Sequence, residues 1–151
     1  MTTFNKDDVL QVFKNRASTR SYDATRKISD DELAFITGMD SEADGIAALL
    51  KTEPKLLIFT KGSKGADLYF KGEKASVEGI SVKAVDTTGA GDSFIGSFLY
   101  QIAGKDAWED CTLDEIREMG LFANRVAALV TTRPGGMQSI PTMQEVLRSE
   151  G

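Results

Sequence analysis

A glycine turn that leads directly into a helical pattern constrains this chain more than any other feature. Residues 86–94 read DTTGAGDSF, and the residues after them carry apolar side chains at helical spacing as far as Ala103. Gly89 and Gly91 can adopt positive φ angles, and they leave room for a ligand beside the main chain. A helix that begins at such a turn presents backbone N–H groups and a partial positive charge, which together bind anions. The sequence therefore predicts an anion-binding turn followed by a helix.

Asp92 lies directly after this turn and has two interpretations. Aspartate is favoured as a helix N-cap, where it contributes about 1 kcal/mol. The other interpretation is a general base, which removes a proton from an acceptor hydroxyl while the amides of Gly89, Ala90 and Gly91 hold a transferred phosphoryl group. Taken alone, the residues leave both interpretations open.

The composition limits the possible chemistry. At 151 residues with 41% hydrophobic content, the chain is long enough for one domain with a buried core. It has no histidine, which excludes Ser-His nucleophiles and histidine metal sites. Its single cysteine, Cys111, excludes an internal disulfide and a thiolate metal cluster. Any catalytic acid or base must then be a carboxylate, a lysine or a tyrosine.

The charge and the distribution of apolar residues argue against nucleic-acid and membrane partners. The net charge is -5, which disfavours binding to nucleic acid or to an anionic membrane surface. No apolar run approaches the length of a membrane-spanning helix, and the polar start MTTFNKDD is unlike a signal peptide. We therefore expect a soluble cytoplasmic protein. A nucleotide site is compatible with this charge, because a local nest of backbone amides does not require a basic protein.

Hydrophobic periodicity and capping residues predict alternating helices and strands. Helices are predicted at residues 7–16, 29–38, 41–51, 92–103, 113–130 and 142–148, and strands at residues 56–60, 66–70 and 76–85, the last of them interrupted near Gly79. The continuously apolar run 56–60 suits a central buried strand, and the polar stretch 17–27 suits a loop. This alternation indicates a layered α/β domain.

Two further segments have both a structural and a functional interpretation. The sequence TKGSKG at residues 60–65 is either an ordinary hairpin turn or a glycine loop that approaches a nucleotide. Asn124 precedes a run of small residues in the predicted helix 113–130, and these residues either pack closely on a sheet or admit a flat ring.

These segments together resemble the ribokinase-type (PfkB) carbohydrate kinases, most closely their fructokinase branch. DTTGAGDSF is similar to the signature of that family. The resemblance implies a ribokinase-like, Rossmann-like layered fold and ATP-dependent transfer of a phosphoryl group to a sugar hydroxyl. It also implies that Asp92 is the base and that Gly89, Ala90 and Gly91 form the anion hole.

The same resemblance implies roles for other residues. The residues that it implies as contacts of the nucleotide are Thr60, Gly62, Gly65 and Asn124. Glu32 matches an acidic residue that organises Mg²⁺ and its waters, although a capping box at residues 29–32 explains it equally well. The segment GGMQSIP at residues 135–141 is similar to the closing motif of the family, which implies a K⁺ site; an ordinary Gly-Pro turn is the alternative. The implied cation ligands are Asp86, Thr88, Gly135 and Ser139.

The kinase resemblance covers residues 28–151, about half the length of such a kinase. The half that would hold the sugar is not matched, so we expect transfer to be impaired or lost. Residues 1–27 instead resemble the amino terminus of nitroreductase-family flavoproteins. This resemblance implies that Arg16, Ser18 and Arg20 bind the phosphate of FMN. A solvated basic loop is the alternative, and the missing remainder of a flavin pocket argues against FMN binding. The pattern indicates a chimera of two folds.

A half-length kinase sheet predicts self-association. Such a sheet exposes an unpaired edge and an apolar helix face. The predicted helix 7–16 covers part of this surface, and we expect a homodimer or a higher homo-oligomer to cover the remainder. Two alternatives to a sugar kinase therefore stay open at this point: a non-catalytic folded module that self-associates, and an FMN-binding fragment.

Overall fold

The computed structural model describes residues 25–149, which form a layered α/β unit as predicted. Its sheet has the strand order β1-β2-β3-β4; β1 is parallel to β2, and the other two pairs are antiparallel. The strands are β1 (Thr25–Ser29), β2 (Leu56–Thr60), β3 (Gly65–Phe70) and β4 (Glu73–Glu78). β2 therefore lies inside the sheet, as its apolar sequence predicted.

Five helices accompany the sheet in the described part of the chain. They are α1 (Asp30–Thr37), α2 (Glu42–Leu50), α3 (Ala90–Ala103), α4 (Leu113–Thr131) and α5 (Met143–Arg148). Short 3₁₀ turns occur at Gly62–Lys64, Trp108–Asp110 and Gly136–Ser139. Within residues 25–149, no helix combines the length and the apolar character needed to cross a bilayer.

The sheet has helices on both faces, because β2 alternates its buried side chains between two clusters. Leu56 and Ile58 belong to the larger cluster, which includes Phe94 and Phe98 of α3 and residues of α4. Leu57 and Phe59 pack with apolar residues of α1 and α2, namely Leu33, Ile46 and Leu49. A strand that is buried on both faces requires a continuous apolar run, which explains the sequence LLIF.

Local capping explains where the helices begin and end. The Ser41 hydroxyl accepts a hydrogen bond from the Asp44 N–H and starts α2. Thr112 and Thr142 each form a capping box with a glutamate three residues later, at the starts of α4 and α5. Gly38 has a φ of 68° and ends α1. All of these boundaries agree with the sequence prediction.

One loop prediction and part of one strand prediction were wrong. Residues 25–27 belong to β1 rather than to a loop, because the backbone ladder with β2 orders a segment that has no apolar alternation of its own. Of the strand predicted at residues 76–85 with an interruption near Gly79, only the part before the interruption is a strand, because β4 begins at Glu73 and ends at Glu78. Beyond it the chain leaves the sheet, and the N–H groups of Val85 and Asp86 donate to the Thr131 carbonyl at the end of α4. The predicted helix 7–16 lies outside the described residues.

Candidate functional site

The glycine turn forms the N-terminus of α3. Gly89 is the N-cap with a φ of 80°, a left-handed conformation that a side chain would disfavour. The Ala90 N–H donates to the Thr87 carbonyl at 3.2 Å, and the Ser93 N–H donates to the Gly89 carbonyl at 2.8 Å. An α-helix leaves the N–H groups of its first turn without intrahelical partners, so this end suits an anion. The structure thus has the turn and the helix start that the sequence predicted.

A cleft of about 620 Å³ opens beside this turn. Asp92 is exposed at the first turn of α3 and lines the cleft together with Gly89. The remaining wall is largely apolar and comes from α3, α4 and the carboxyl-terminal segment. Its members are Ser93, Gly96, Ser97, Tyr100, Phe122, Val126, Gly136, Ile140, Pro141, Met143 and Val146. A carboxylate therefore lies at the mouth of a cavity large enough for a small organic ligand.

The α3 residues of this wall were not singled out from the sequence. Ser93, Gly96, Ser97 and Tyr100 recur at intervals of three and four residues, so they share one face of the helix. The buried apolar side chains of α3 lie on other positions, among them Phe94 and Phe98. A helix face with three small residues and a tyrosine, beside the buried apolar face, was the signal in the sequence.

Asp86 joins the glycine turn to the carboxyl-terminal turn. Its Oδ1 accepts a hydrogen bond from the Thr88 N–H at 2.9 Å, and its Oδ2 accepts one from the Gly135 N–H at 3.4 Å. Hydrogen bonds from Thr88, first from its side chain and then from its backbone, lower the pKa of the Asp86 carboxyl below its usual value, and the Gly135 amide lowers it further. The carboxylate is therefore stabilised in its charged form.

The residues predicted to bind a monovalent cation come together around Asp86. Gly135 and Gly136 have φ angles of 108° and 53°, and a Cβ added at Gly89 would lie 3.7 Å from the Gly136 Cα. The buried Ser139 hydroxyl donates to the Gly136 carbonyl. Within the described part of the chain, no group of three or more acidic or cysteine side chains could hold a metal ion. The K⁺ site around Asp86 stays a prediction.

The predicted nucleotide contacts gather at a second place, at one end of the sheet. Gly62 has a φ of 55°, and the Gly79 N–H donates to the Lys64 carbonyl at 3.1 Å. A Cβ at Gly65 would lie 1.9 Å from the Val77 carbonyl oxygen, so strand packing alone requires glycine there. Thr60 ends β2 beside this loop.

Asn124 connects α4 by a hydrogen bond to the end of β4, beside the predicted nucleotide contacts. It is 8% exposed, and its Nδ2 donates to the Glu78 carbonyl at 2.7 Å. This hydrogen bond gives the side chain a structural role, and the predicted nucleotide contact stays a prediction. Asn124 and Thr131 are seven positions apart in α4, which at 1.5 Å per residue is about 10 Å along the helix. The two groups of predicted site residues are therefore linked by one helix.

The other predicted ligands lie elsewhere. Glu32 is exposed in the first turn of α1 and does not line the cleft. Its role near Mg²⁺ stays a prediction. Arg16, Ser18 and Arg20, the predicted FMN contacts, lie outside the described residues.

Comparisons with known proteins identify the family. The sequence model described as "pfkB family carbohydrate kinase" matches residues 13–143. This match begins upstream of the boundary at residues 27 and 28 that the sequence suggested. The chimeric origin of residues 1–27 stays a prediction.

Plant fructokinases are among the most similar relatives. The chain is 43% identical over 128 residues to "Probable fructokinase-5" of Arabidopsis thaliana, a match that covers 82% of this chain and 39% of the relative. It is 42% identical over 118 residues to "Fructokinase-2" of Oryza sativa subsp. japonica, covering 78% and 35%. The chain thus spans about two fifths of these relatives.

Solved structures of kinases share the fold. Fructokinase from Vibrio cholerae O395, crystallised with fructose, ADP and calcium ion, aligns with a TM-score of 0.78 and 32% identity, over 96% of this chain and 46% of that one. Ribokinase from Thermotoga maritima aligns with a TM-score of 0.68 and 30% identity, over 82% and 41%. The predicted ribokinase-like fold is thereby confirmed, and this chain belongs to the pfkB family of carbohydrate kinases.

Proposed function

We propose that this chain is the nucleotide-binding half of a fructokinase-like sugar kinase and binds ATP with Mg²⁺. The observation that carries the proposal is the left-handed Gly89 turn, which opens α3 at a cleft that Asp92 also lines. Phosphate groups fit the helix N-terminus, because its amides and its partial charge favour anions.

The walls of the cleft suit the rest of a nucleotide. Phe122, Val126 and Pro141 offer apolar surface to a flat base, and Ser93 and Ser97 offer hydroxyl groups. We also propose that the nucleotide contacts the second group of predicted site residues, at one end of the sheet, which consists of Thr60, Gly62, Gly65 and Asn124. Mg²⁺ would neutralise phosphate charge, with Glu32 as a proposed outer ligand, because Mg²⁺ keeps several waters and takes few protein carboxylates. K⁺ would bind near Asp86, Thr88, Gly135 and Ser139.

Asp92 has the role of general base in this proposal. Its carboxylate removes the proton of a sugar hydroxyl, whose oxygen forms a bond to the γ-phosphorus of ATP. The bond from that phosphorus to the β–γ bridging oxygen breaks, and ADP leaves. Backbone amides of Gly89 and Gly91 stabilise the charge on the transferred group, while the Ala90 N–H donates to the Thr87 carbonyl and shapes the turn.

We propose nucleotide binding as the main function of this chain and sugar phosphorylation as a weaker one, because the chain matches less than half of its relatives. The chain spans 39% of the Arabidopsis relative and 46% of the Vibrio structure. Positioning of the acceptor lowers a barrier by about 7 to 11 kcal/mol, and that requires residues on both sides of the reacting atoms. We therefore propose that transfer to a sugar is weak in this chain alone. Fructose is the proposed acceptor and the cytoplasm the proposed location.

Calorimetric titration with ATP and Mg²⁺ tests the proposal. We expect saturable binding that Gly91→Leu weakens by about tenfold or more, because a side chain at the turn fills the space of a phosphate. Gly104→Leu is the matched control, since Gly104 is the exposed C-cap of the same helix.

Asp92→Asn separates binding from chemistry in the same assay. The variant should retain the affinity for ATP, because the proposed role of Asp92 is proton removal. Absence of binding by the unmodified chain, or equal binding by the Gly91 variant, would contradict the proposal.

A further inference from the structure

The Asp86 carboxylate connects two turns that are 49 residues apart in the chain. One oxygen accepts the Thr88 N–H, and the other accepts the Gly135 N–H. Hydrogen bonds to a charged acceptor are roughly twice as strong as neutral ones. A single side chain therefore holds both turns.

These turns lie against each other in the wall of the cleft. Gly89, in the first turn, and Gly136, in the second, both line it. A Cβ at Gly136 would lie 3.6 Å from the Thr88 Cγ2, so the turns are already in close contact. The Val85 and Asp86 N–H groups donate to Thr131 at 2.7 and 3.1 Å, which fixes the start of the first turn to the helix that precedes the second.

We propose that Asp86 is a positioning residue, whose carboxylate holds the 86–89 turn against the 135–139 turn and so sets the cleft for nucleotide before nucleotide arrives. This inference rests on the proposed function and deepens it. Holding a binding site in its bound shape raises affinity, because less ordering is required on binding. This role differs from that of a cation ligand, because the carboxylate oxygens accept hydrogen bonds from two N–H groups, and these bonds join the turns without a cation.

Two substitutions separate the two hydrogen bonds. Asparagine has one acceptor oxygen and an NH₂ group in place of the other, so Asp86→Asn can accept from only one of the two N–H groups. Asp86→Ala accepts from neither. Amide hydrogen exchange without nucleotide should therefore accelerate at one of Thr88 and Gly135 in the asparagine variant and at both in the alanine variant.

Titration with ADP, in potassium chloride and separately in tetramethylammonium chloride, tests the consequence for binding. We expect Asp86→Asn to lower the affinity by about tenfold in both salts, the effect of losing one hydrogen bond to a charged group. Asp40→Asn is the matched control, an exposed aspartate between α1 and α2 and outside the cleft. Circular dichroism verifies that each variant is folded.

The outcomes distinguish this inference from the proposed function. A loss of affinity confined to potassium chloride identifies Asp86 as a cation ligand only and overturns the positioning role. Unchanged exchange at Thr88 and Gly135 in the alanine variant overturns it as well. If the unmodified chain does not bind ADP, the proposed function fails, and the exchange measurement alone then decides whether Asp86 holds the two turns together.

Discussion

Asp67 is a buried charge whose partners explain how the fold tolerates it. It is 2% exposed on β3, and its Oδ2 lies 2.9 Å from the Nζ atoms of both Lys61 and Lys74. The Ser76 hydroxyl donates to its Oδ1 at 2.7 Å. Burial raises the pKa of Asp67, but the hydrogen bonds from Lys74, Ser76 and Lys61 lower it more, and the pKa lies below its ordinary value.

Asp67→Asn should destabilise the protein by about 2 kcal/mol at neutral pH, the contribution of hydrogen bonds to a buried charged group. Because the pKa of this group is lower in the folded state, its contribution is present above the unfolded pKa and is lost as pH falls through the folded pKa. Urea unfolding should therefore show the difference between the two proteins shrinking below about pH 4. Equal stability at neutral pH would contradict this account, and Asp40→Asn is the control.

At the scale of single residues, the sequence predicted those parts of the site that are local. Gly89 and Asp92 were identified because turn chemistry and helix starts are encoded within a few residues. The Asp67 cluster and the Asn124 hydrogen bond were missed. Asn124 reaches the carbonyl of a residue 46 positions away, and only the assembled fold brings such groups together.

At the scale of elements, helices were predicted more accurately than strands. Helix boundaries follow from caps such as Thr112, whose partner is three residues away. β1 forms a strand because it pairs with β2, a segment about thirty residues later in the chain. The sequence of β1 itself does not indicate that pairing. The early end of β4 likewise depends on α4, because the Thr131 carbonyl at the end of that helix accepts hydrogen bonds from the N–H groups of Val85 and Asp86.

Helix α5 should keep its structure well into the acid range. Glu145 closes the capping box with Thr142 and pairs with Arg133, and the Arg133 hydrogen bond, followed by those from Thr142, lowers the pKa of Glu145 from 4.5 to about 2. A lowered pKa means that this stabilisation persists below the ordinary glutamate pKa and disappears as pH falls towards about 2.

Amide exchange at Val146 and Ser149 checks this prediction, because their N–H groups donate to the Thr142 and Glu145 carbonyls. Protection should persist at a pH slightly below 4.5 in the unmodified protein and be reduced in Glu145→Ala. Equal protection in the two proteins would contradict the role of Glu145. Glu118→Gln, on the exposed surface of α4, is the control.

At the scale of the whole molecule, apolar surface on α1 and α2 favours self-association. Phe35 is 91% exposed, and Ile36, Met39 and Leu50 are also exposed. Exposed apolar side chains that are grouped on neighbouring elements mark an interface in many proteins. We predict a homodimer or a higher oligomer through this surface.

Light scattering coupled to size-exclusion chromatography measures the mass directly. Phe35→Ser should shift the protein towards the mass of one chain, 16.4 kDa. Tyr100→Ser removes an exposed aromatic from α3 and should leave the mass unchanged. A single-chain mass for the unmodified protein at micromolar concentration would contradict the prediction.

We propose that nucleotide binds where the glycine turn begins α3. The most direct test is to follow the backbone amide resonances of the protein by NMR while ADP is added. We expect the largest shifts at Gly89, Gly91 and Asp92, with smaller ones at Gly136. Unchanged resonances, or shifts confined to the distant groove that Lys55, Tyr69 and Lys71 line, would contradict it.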